Sequence, residues 1–251
     1  MTRWTLFETS FIGLDNFASF LRDPALVNCI RNTAIYAVVT SGLKVVLGLL
    51  LASLLTSRLR LRHLLRAIVF FPTLVSTVAV GITFAVLMHP SHGLINKTLE
   101  VVGIQGPSWL TNPTIALLSV ALVDVWQGVG IATVIFIAAI LSIPIEYYDT
   151  VRLDGGTWAG FRHVTVPLSR NATFTVILLS FIGGLRSFDL IWTMTGGGPG
   201  FTTAVITSTI YKEYQSGYYG LATTGNVVLF IAVALIVYPM MRFFSRREVE
   251  L

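Results

Sequence analysis

Five long apolar runs set the strongest limit on what this chain can fold into. A bilayer core of about 30 Å needs roughly 20 apolar residues in one helix. The runs that meet this length are Ala34–Thr56, Ala67–Met88, Ile115–Leu141, Thr173–Met194 and Leu221–Phe244. Composition agrees, because only 12% of the residues are charged, whereas a soluble domain carries about 25%. The sequence therefore predicts an all-α integral membrane protein with five visible spans.

The arginines and lysines predict how these spans are oriented. Arginines are concentrated in the first and third connections and after the last run, namely Arg58, Arg60, Arg62, Arg66, Arg152, Arg162, Arg170, Arg246 and Arg247. The other two connections, 89–113 and 195–220, contain one lysine each. Cytoplasmic loops carry the excess of positive charge, so the arginine-rich loops and the C-terminus are predicted to be cytoplasmic.

Three regions follow from this topology. Residues 1–33 are predicted to be an external amphipathic segment, residues 34–244 a membrane domain with a cytoplasmic loop at 142–170, and residues 245–251 a cytoplasmic tail. Five spans with a cytoplasmic C-terminus leave the N-terminus outside, yet residues 1–33 contain no secretory signal. A sixth span is therefore expected upstream, with a five-span protein as the alternative.

Several kinds of site are not expected. The net charge of +5 is spread over the ends of the apolar runs, so a nucleic-acid surface is not predicted. A single cysteine, Cys29, excludes an intramolecular disulfide. His89 and His92 have a spacing that could bind a metal, but no third ligand is in view. No arrangement of nucleophile and base indicates an enzyme.

The loop IPIEYYDTVRLDGGTWAGFRHVTVPLSR, residues 143–170, differs from its apolar surroundings. Proline disfavours helical geometry in the residue before it, so Ile143-Pro144 is predicted to end the third span. Residues 146–153 are predicted to form a short helix and residues 157–163 a second one. Asp154-Gly155-Gly156 is predicted to break the helix between them, because glycine tolerates positive φ. The loop has an apolar face suited to a groove on a partner, although an ordinary loop on the membrane surface is the alternative.

This loop resembles the EAA loop of binding-protein-dependent ABC importer permeases, whose pattern is roughly IP-x-E-L-Y-E-A-A-x-x-D-G-A followed by F-x-x-I-T-L-P. The matching residues are Ile143, Pro144, Glu146, Tyr148, Asp154, Gly155, Phe161, Thr165, Pro167 and Leu168. In this family the loop docks into a cleft of the cytoplasmic ATPase and transmits its closure to the membrane helices. The resemblance implies that the ATPase-coupling residues are Glu146, Asp149, Asp154, Gly155, Phe161 and Pro167.

The sequence departs from the pattern at the triplet itself, where Asp149-Thr150-Val151 replaces Glu-Ala-Ala. Asp149 keeps the charge but is one methylene shorter than glutamate, which weakens the contact carried over from the family. Nearly the whole chain otherwise resembles carbohydrate-type permeases, and the Thr-Gly-Gly-Gly-Pro run at 195–199 is typical of those similar to the larger maltose permease subunit. The implied fold is a type I ABC importer transmembrane domain.

Polar residues inside the apolar runs are candidates for the substrate path, because a charge at mid-bilayer costs about 2.5–3.5 kcal/mol and usually faces a cavity or a partner. The candidates are Asp124, Trp126, Gln127, Arg186, Ser187 and Asp189. Arg186 and Asp189 are three residues apart on one predicted span and are expected on one helical face, as a border of the sugar path or as an ion pair. Trp126 and Gln127 could contact a sugar or a neighbouring helix. Lys44 is expected to face a partner helix.

These observations predict a permease subunit of an ATP-driven importer for a sugar or sugar-like solute, in the plasma membrane of a prokaryote. The chain has no G-x-x-x-x-G-K-[ST] phosphate loop, so no cofactor is expected on it, and ATP and Mg²⁺ are expected on a separate ATPase. The implied partners are a second permease, an ABC ATPase dimer and an extracytoplasmic solute-binding protein. The alternatives are a secondary transporter that relays ions through Asp124, Arg186 and Asp189, and a membrane scaffold.

Overall fold

A computed structural model describes residues 2–4, 9–22, 24–57 and 60–245, with only the backbone described for 2–4, 9–11, 24, 152–155, 157 and 245. The elements are β1 Thr2–Trp4, β2 Thr9–Phe11, α1 Asp15–Arg22, α2 Pro24–Thr56, α3 Arg62–Phe70, α4 Thr77–Leu87, α5 Leu94–Val101, α6 Ala116–Leu141, α7 Ile145–Gly160, α8 Val166–Leu168, α9 Arg170–Leu185, α10 Asp189–Thr195, α11 Ile206–Gln215 and α12 Tyr219–Ser245. Beyond Ser245, the predicted tail with Arg246 and Arg247 lies outside the described residues. Arg58 also lies outside them.

The N-terminal segment is more structured than an amphipathic helix alone. Strands β1 and β2 pair antiparallel, with Thr2 opposite Phe11, and α1 follows them. Phe20 of α1 is buried in an apolar cluster with Leu26, Cys29, Ala204, Ile206, Ile210 and Ala222. Helix α2 begins at Pro24, ten residues before the predicted start of the first span. Proline suits the first turn of a helix because the backbone N–H it lacks would have no partner there.

Three of the five predicted spans are confirmed as unbroken helices. The segments long and apolar enough to cross a membrane are Ala25–Thr56, Ala116–Leu141 and Tyr219–Phe244. Helix α2, with 33 residues, is about 50 Å long and exceeds the thickness of a bilayer core.

The second predicted span, Ala67–Met88, is not one straight helix. Helix α3 continues into a 3₁₀ turn, Phe71–Leu74, and the chain bends by 96° before α4. Pro72 lies in this turn, and its missing backbone N–H removes a helical hydrogen bond where the helix breaks.

The prediction that the fourth span, Thr173–Met194, is a single helix was wrong. Helix α9 ends at Leu185, and α10 begins only at Asp189. Before α9, the segment Trp158–Leu168 joins it with a bend of 64°. The described part of the chain therefore contains three candidate spans, or up to five if each bent pair is counted as one span.

The chain divides into two compact units. One comprises residues 1–38, 76–123 and 182–237, and the other residues 39–75, 124–181 and 238–251. In the first unit α10 packs against α4, where Gly81 leaves room for Thr193. The second unit has its own apolar cluster, formed by Ala52, Ala132, Phe136, Ile140, Ala172 and Val176.

Candidate functional site

The loop at 142–170 has the predicted two-part form. Helix α6 ends at Leu141 and α7 begins at Ile145, directly after Pro144. Within α7, Gly156 leaves the helical conformation, with φ 67° and ψ −161°. This combination is open essentially to glycine alone, so the predicted helix break is confirmed and is located at Gly156. A short π-helical segment, Phe161–Thr165, then leads into α8.

The outer surface of this loop carries acidic and aromatic side chains. Glu146 and Asp149 are exposed on the first turns of α7, and Tyr147 is 50% exposed beside them. Trp158, 69% exposed, stacks on Phe161 with ring centroids 5.5 Å apart. Exposed aromatic rings next to carboxylates form a surface suited to a protein partner, since aromatic residues are enriched at interfaces.

The remaining predicted coupling residues are placed less completely. Pro167 is exposed in α8. Asp154 and Gly155 lie within α7, and only their backbone is described. Their coupling roles therefore stay predictions.

The inner side of the loop faces a cavity of about 580 Å³. Its lining comes from the ends of α2 and α6 and from the loop, and includes Thr56, Ile140, Ile143, Tyr148, Gly160 and Phe161. The Tyr148 and Thr165 hydroxyls are 3.1 Å apart and share a hydrogen bond across one edge of this space.

Asp124 forms an ion pair that sequence spacing did not predict. The Lys44 Nζ atom of α2 donates to Asp124 Oδ2 of α6 at 2.8 Å, and the two side chains are 11% and 23% exposed. A Cβ atom at Gly128 would lie 2.7 Å from Lys44 Cε, so the absence of a side chain there leaves room for the ammonium group. Lys44, expected to face a partner helix, instead pairs within its own chain.

Gln127 is buried at the break between α3 and α4. Its Nε2 atom donates to the backbone oxygen of Val75, and its own backbone oxygen accepts a hydrogen bond from Thr73 Oγ1, both at 2.9 Å. These are the contacts that the helix–helix alternative for Gln127 predicts. Trp126, next to it on α6, is 44% exposed in the isolated chain.

Arg186, Ser187 and Asp189 do not share a helical face, because the chain is non-helical from 186 to 188. Within the continuously described residues 60–245, Arg186 and Asp189 form no ion pair with each other, and both are exposed. The Ser187 backbone oxygen accepts a hydrogen bond of 2.5 Å from Thr207 Oγ1. The prediction that Arg186 and Asp189 lie on one helical face was wrong. The place of all three residues on the substrate path stays a prediction.

An aromatic cluster adjoins this break and was not predicted. Phe188 lies 5.7 Å from Trp192 and 5.0 Å from Tyr211, and Trp192 meets Tyr211 edge to face at 4.8 Å. Sequence spacing does not indicate this cluster, because Tyr211 lies on α11 and Trp192 on α10. These residues belong to one compact unit, whereas Asp124, Trp126 and Gln127 belong to the other.

The two histidines of the loop 89–113, which is predicted to be external, contact each other. The rings of His89 and His92 stack with centroids 3.5 Å apart. Among the described residues no group of three or more His, Cys, Asp or Glu side chains is arranged to hold a metal ion.

Comparison with known proteins agrees with this architecture. The family described as binding-protein-dependent transport system inner membrane component matches residues 44–249. A probable ABC transporter permease protein, YurN, of Bacillus subtilis is 32% identical over 98% of this chain and 87% of its own length. The trehalose/maltose transport system permease protein MalF of Thermococcus litoralis is 31% identical over 90% of this chain and 77% of its own length.

Solved structures show the same fold. A bacterial ABC transporter involved in the import of the acidic polysaccharide alginate has a chain with a TM-score of 0.83, at 22% identity, over 96% of this chain and 86% of that one. At this identity the likeness concerns the fold alone, and it confirms the type I ABC importer architecture. With a family match that covers most of the sequence, the chain belongs to the inner membrane components of binding-protein-dependent transport systems, the permeases of ABC importers.

Proposed function

We propose that this permease imports a sugar or sugar-like solute and that the loop 142–170 couples it to a separate cytoplasmic ATPase dimer. The observation that carries the proposal is the family match over residues 44–249, which includes this loop and both groups of polar candidates. The exposed Glu146, Tyr147, Asp149 and Trp158 supply the surface on which an ATPase would dock.

The sugar class is supported by the names of several relatives. They include the trehalose/maltose permease of Thermococcus litoralis and, at 28% identity over 95% of this chain, the lactose transport system permease protein LacF of Rhizobium radiobacter. An arabinooligosaccharides permease of Bacillus subtilis is 29% identical over 91% of this chain. Among the substrate-path candidates, Trp126 is exposed and could stack on a sugar ring. Arg186 and Asp189 are also exposed and could hydrogen-bond sugar hydroxyls.

The division of the chain supports the proposed orientation. The described residues of the predicted cytoplasmic segments 57–66 and 142–170 belong to one compact unit. The predicted external segments 89–113 and 195–220 both belong to the other. A second permease subunit and an extracytoplasmic binding protein complete the proposed assembly, with ATP and Mg²⁺ held by the ATPase.

The secondary-transporter alternative is less well supported. An ion relay through Asp124 needs a carboxylate that is free to exchange its ion, whereas Lys44 already pairs with this carboxylate at 2.8 Å.

The proposal is tested by purifying the tagged chain from its native membrane and identifying the proteins that accompany it. We expect an ABC ATPase, a second permease and, in proteoliposomes, ATP hydrolysis stimulated by the loaded binding protein. Uptake is then compared for maltose, trehalose, lactose and arabino-oligosaccharides. Purification without an ATPase, or uptake driven by an ion gradient alone, would refute the proposal.

A further inference from the structure

The two halves of the loop 142–170 are joined at a residue whose backbone is not helical. Gly156 has φ 67° and ψ −161°, between the first part of α7 and the segment that continues to α8. A π-helical segment follows at Phe161–Thr165, and such segments are rare single turns found frequently at functional sites. A regular helix therefore does not run through the loop, and the angle between its two halves depends on other contacts as well.

A cavity of about 580 Å³ lies behind the loop, against Ile143, Tyr148, Gly160 and Phe161. On this side the loop is not packed directly against other elements of its own unit. Side-chain contacts between its two halves therefore help to set the angle between them.

A hydrogen bond between described side chains joins the two halves across the break. Tyr148 lies before Gly156 and Thr165 after it, 17 residues apart, and their hydroxyl oxygens are 3.1 Å apart. Thr165 is buried, and its backbone oxygen accepts a hydrogen bond from the Ser169 N–H, one residue before α9 begins. Gly160 presents no side chain to the Tyr148 ring, which a Cβ atom there would meet at 3.6 Å. The chain from Tyr148 to α9 is thus connected by two consecutive hydrogen bonds.

We propose that Tyr148 and Thr165 form a latch that makes the loop move as one rigid body. With the hydrogen bond formed, a displacement of the exposed surface of α7 is transmitted to α8 and α9. Without it, the same displacement is absorbed by a change of angle at Gly156. Both are positioning residues, and the proposal rests on the coupling role proposed above for this loop.

Four variants and one control test the latch in the complete transporter. Tyr148→Phe and Thr165→Val each remove one hydroxyl while keeping nearly the same shape, and the double variant removes both. Thr165→Ser keeps the hydroxyl. Tyr218→Phe is the matched control, because it removes the same atom from an exposed side chain outside the loop.

The first measurement is the amount of sugar transported per ATP hydrolysed by the assembled complex. We expect a roughly fivefold decrease in each single removal variant, the factor that corresponds to one net hydrogen bond. The double variant should be no worse than either single one, because all three lose the same bond. Thr165→Ser and Tyr218→Phe should behave as wild type.

The second measurement does not depend on the ATPase. With Cys29 changed to serine, spin labels at the exposed Thr150 and His163 report the distance between the two halves of the loop. The distance distribution should be narrow in the wild type and in Thr165→Ser, and broad in Tyr148→Phe and Thr165→Val.

Narrow distributions in every variant would overturn the latch. So would additive losses in the double variant, or losses confined to the amount of assembled complex. A complex without ATP hydrolysis would instead overturn the coupling role, and the spin-label distances would still decide whether the hydrogen bond holds the loop.

Discussion

The Lys44–Asp124 ion pair allows a quantitative prediction about what holds α2 against α6. Removing one partner of a buried ion pair leaves the other charge without compensation and costs about 3–5 kcal/mol. Asp124→Leu leaves an ammonium group that is 11% exposed, whereas Lys44→Met leaves a carboxylate that is 23% exposed. We expect each single variant to lose about 3–5 kcal/mol, and the larger loss for Asp124→Leu because it leaves the less exposed of the two charges.

The double variant separates the cost of an unpaired charge from the value of the pair. Replacing both partners of a buried ion pair with apolar residues of similar size is often neutral or stabilising. Lys44→Met combined with Asp124→Leu should therefore restore most of the free energy of unfolding lost in either single variant. Gly128→Ala is the graded control, because its Cβ atom would displace the Lys44 ammonium group without removing a charge. Its effect should be smaller than that of Asp124→Leu, since the end of a lysine side chain can shift.

The assay is denaturant-induced unfolding in detergent, with the folded fraction followed by tryptophan fluorescence. A loss of 3 kcal/mol changes the equilibrium constant by a factor of more than 100, which such a titration resolves. Single variants that lose less than about 1 kcal/mol, the range of exposed ion pairs, would show that water screens the pair. A double variant worse than both single variants would show that the pair itself contributes net stability.

Two further predictions concern orientation and the external segment. In a Cys29→Ser background, cysteines introduced at the exposed Ser57 and Ser91 should react with an impermeant reagent from opposite sides of the membrane, Ser91 from outside, and labelling from one side would contradict the proposed topology. Asn32→Leu should lower the free energy of unfolding by about 1–3 kcal/mol, because the two N–H groups of Asn32 Nδ2 are shared among the backbone oxygens of Phe201, Thr202 and Ala204, at 3.0–3.1 Å. Asn226→Leu, which removes only a bond of 3.3 Å within its own helix, should have a smaller effect, and equal losses would contradict this role for Asn32.

Local features of the sequence were enough to predict the unbroken spans and the break in the loop. A span needs only sufficient apolar length, and the three continuous helices have it. The break at Gly156 follows from the backbone freedom of glycine, which depends little on the rest of the fold.

Features that depend on contacts between distant residues could not be predicted from local sequence features. Lys44 and Asp124 are 80 residues apart, and nothing in their spacing indicates that they meet. The run Ala67–Met88 has the length and hydropathy of a straight span, and Pro72 is the single local sign of its bend. In the fourth run, the helix ends at Leu185 although no proline lies there.

Both breaks in the apolar runs are stabilised by side chains from other elements. At the first, Gln127 donates to the Val75 backbone oxygen, and at the second, Thr207 donates to that of Ser187. A backbone group without a hydrogen bond costs several kcal/mol in lipid, so a span can be interrupted only where such partners exist. Gln127 is therefore accounted for by the fold. The polar candidates that still need a functional explanation are the exposed ones, and two of these, Arg186 and Asp189, border the second break. Irregular backbone at membrane depth is tolerated where it is buried in protein or lines a water-filled cavity. A sugar would pass only in the second case, so the place of Arg186 and Asp189 on the substrate path stays a prediction.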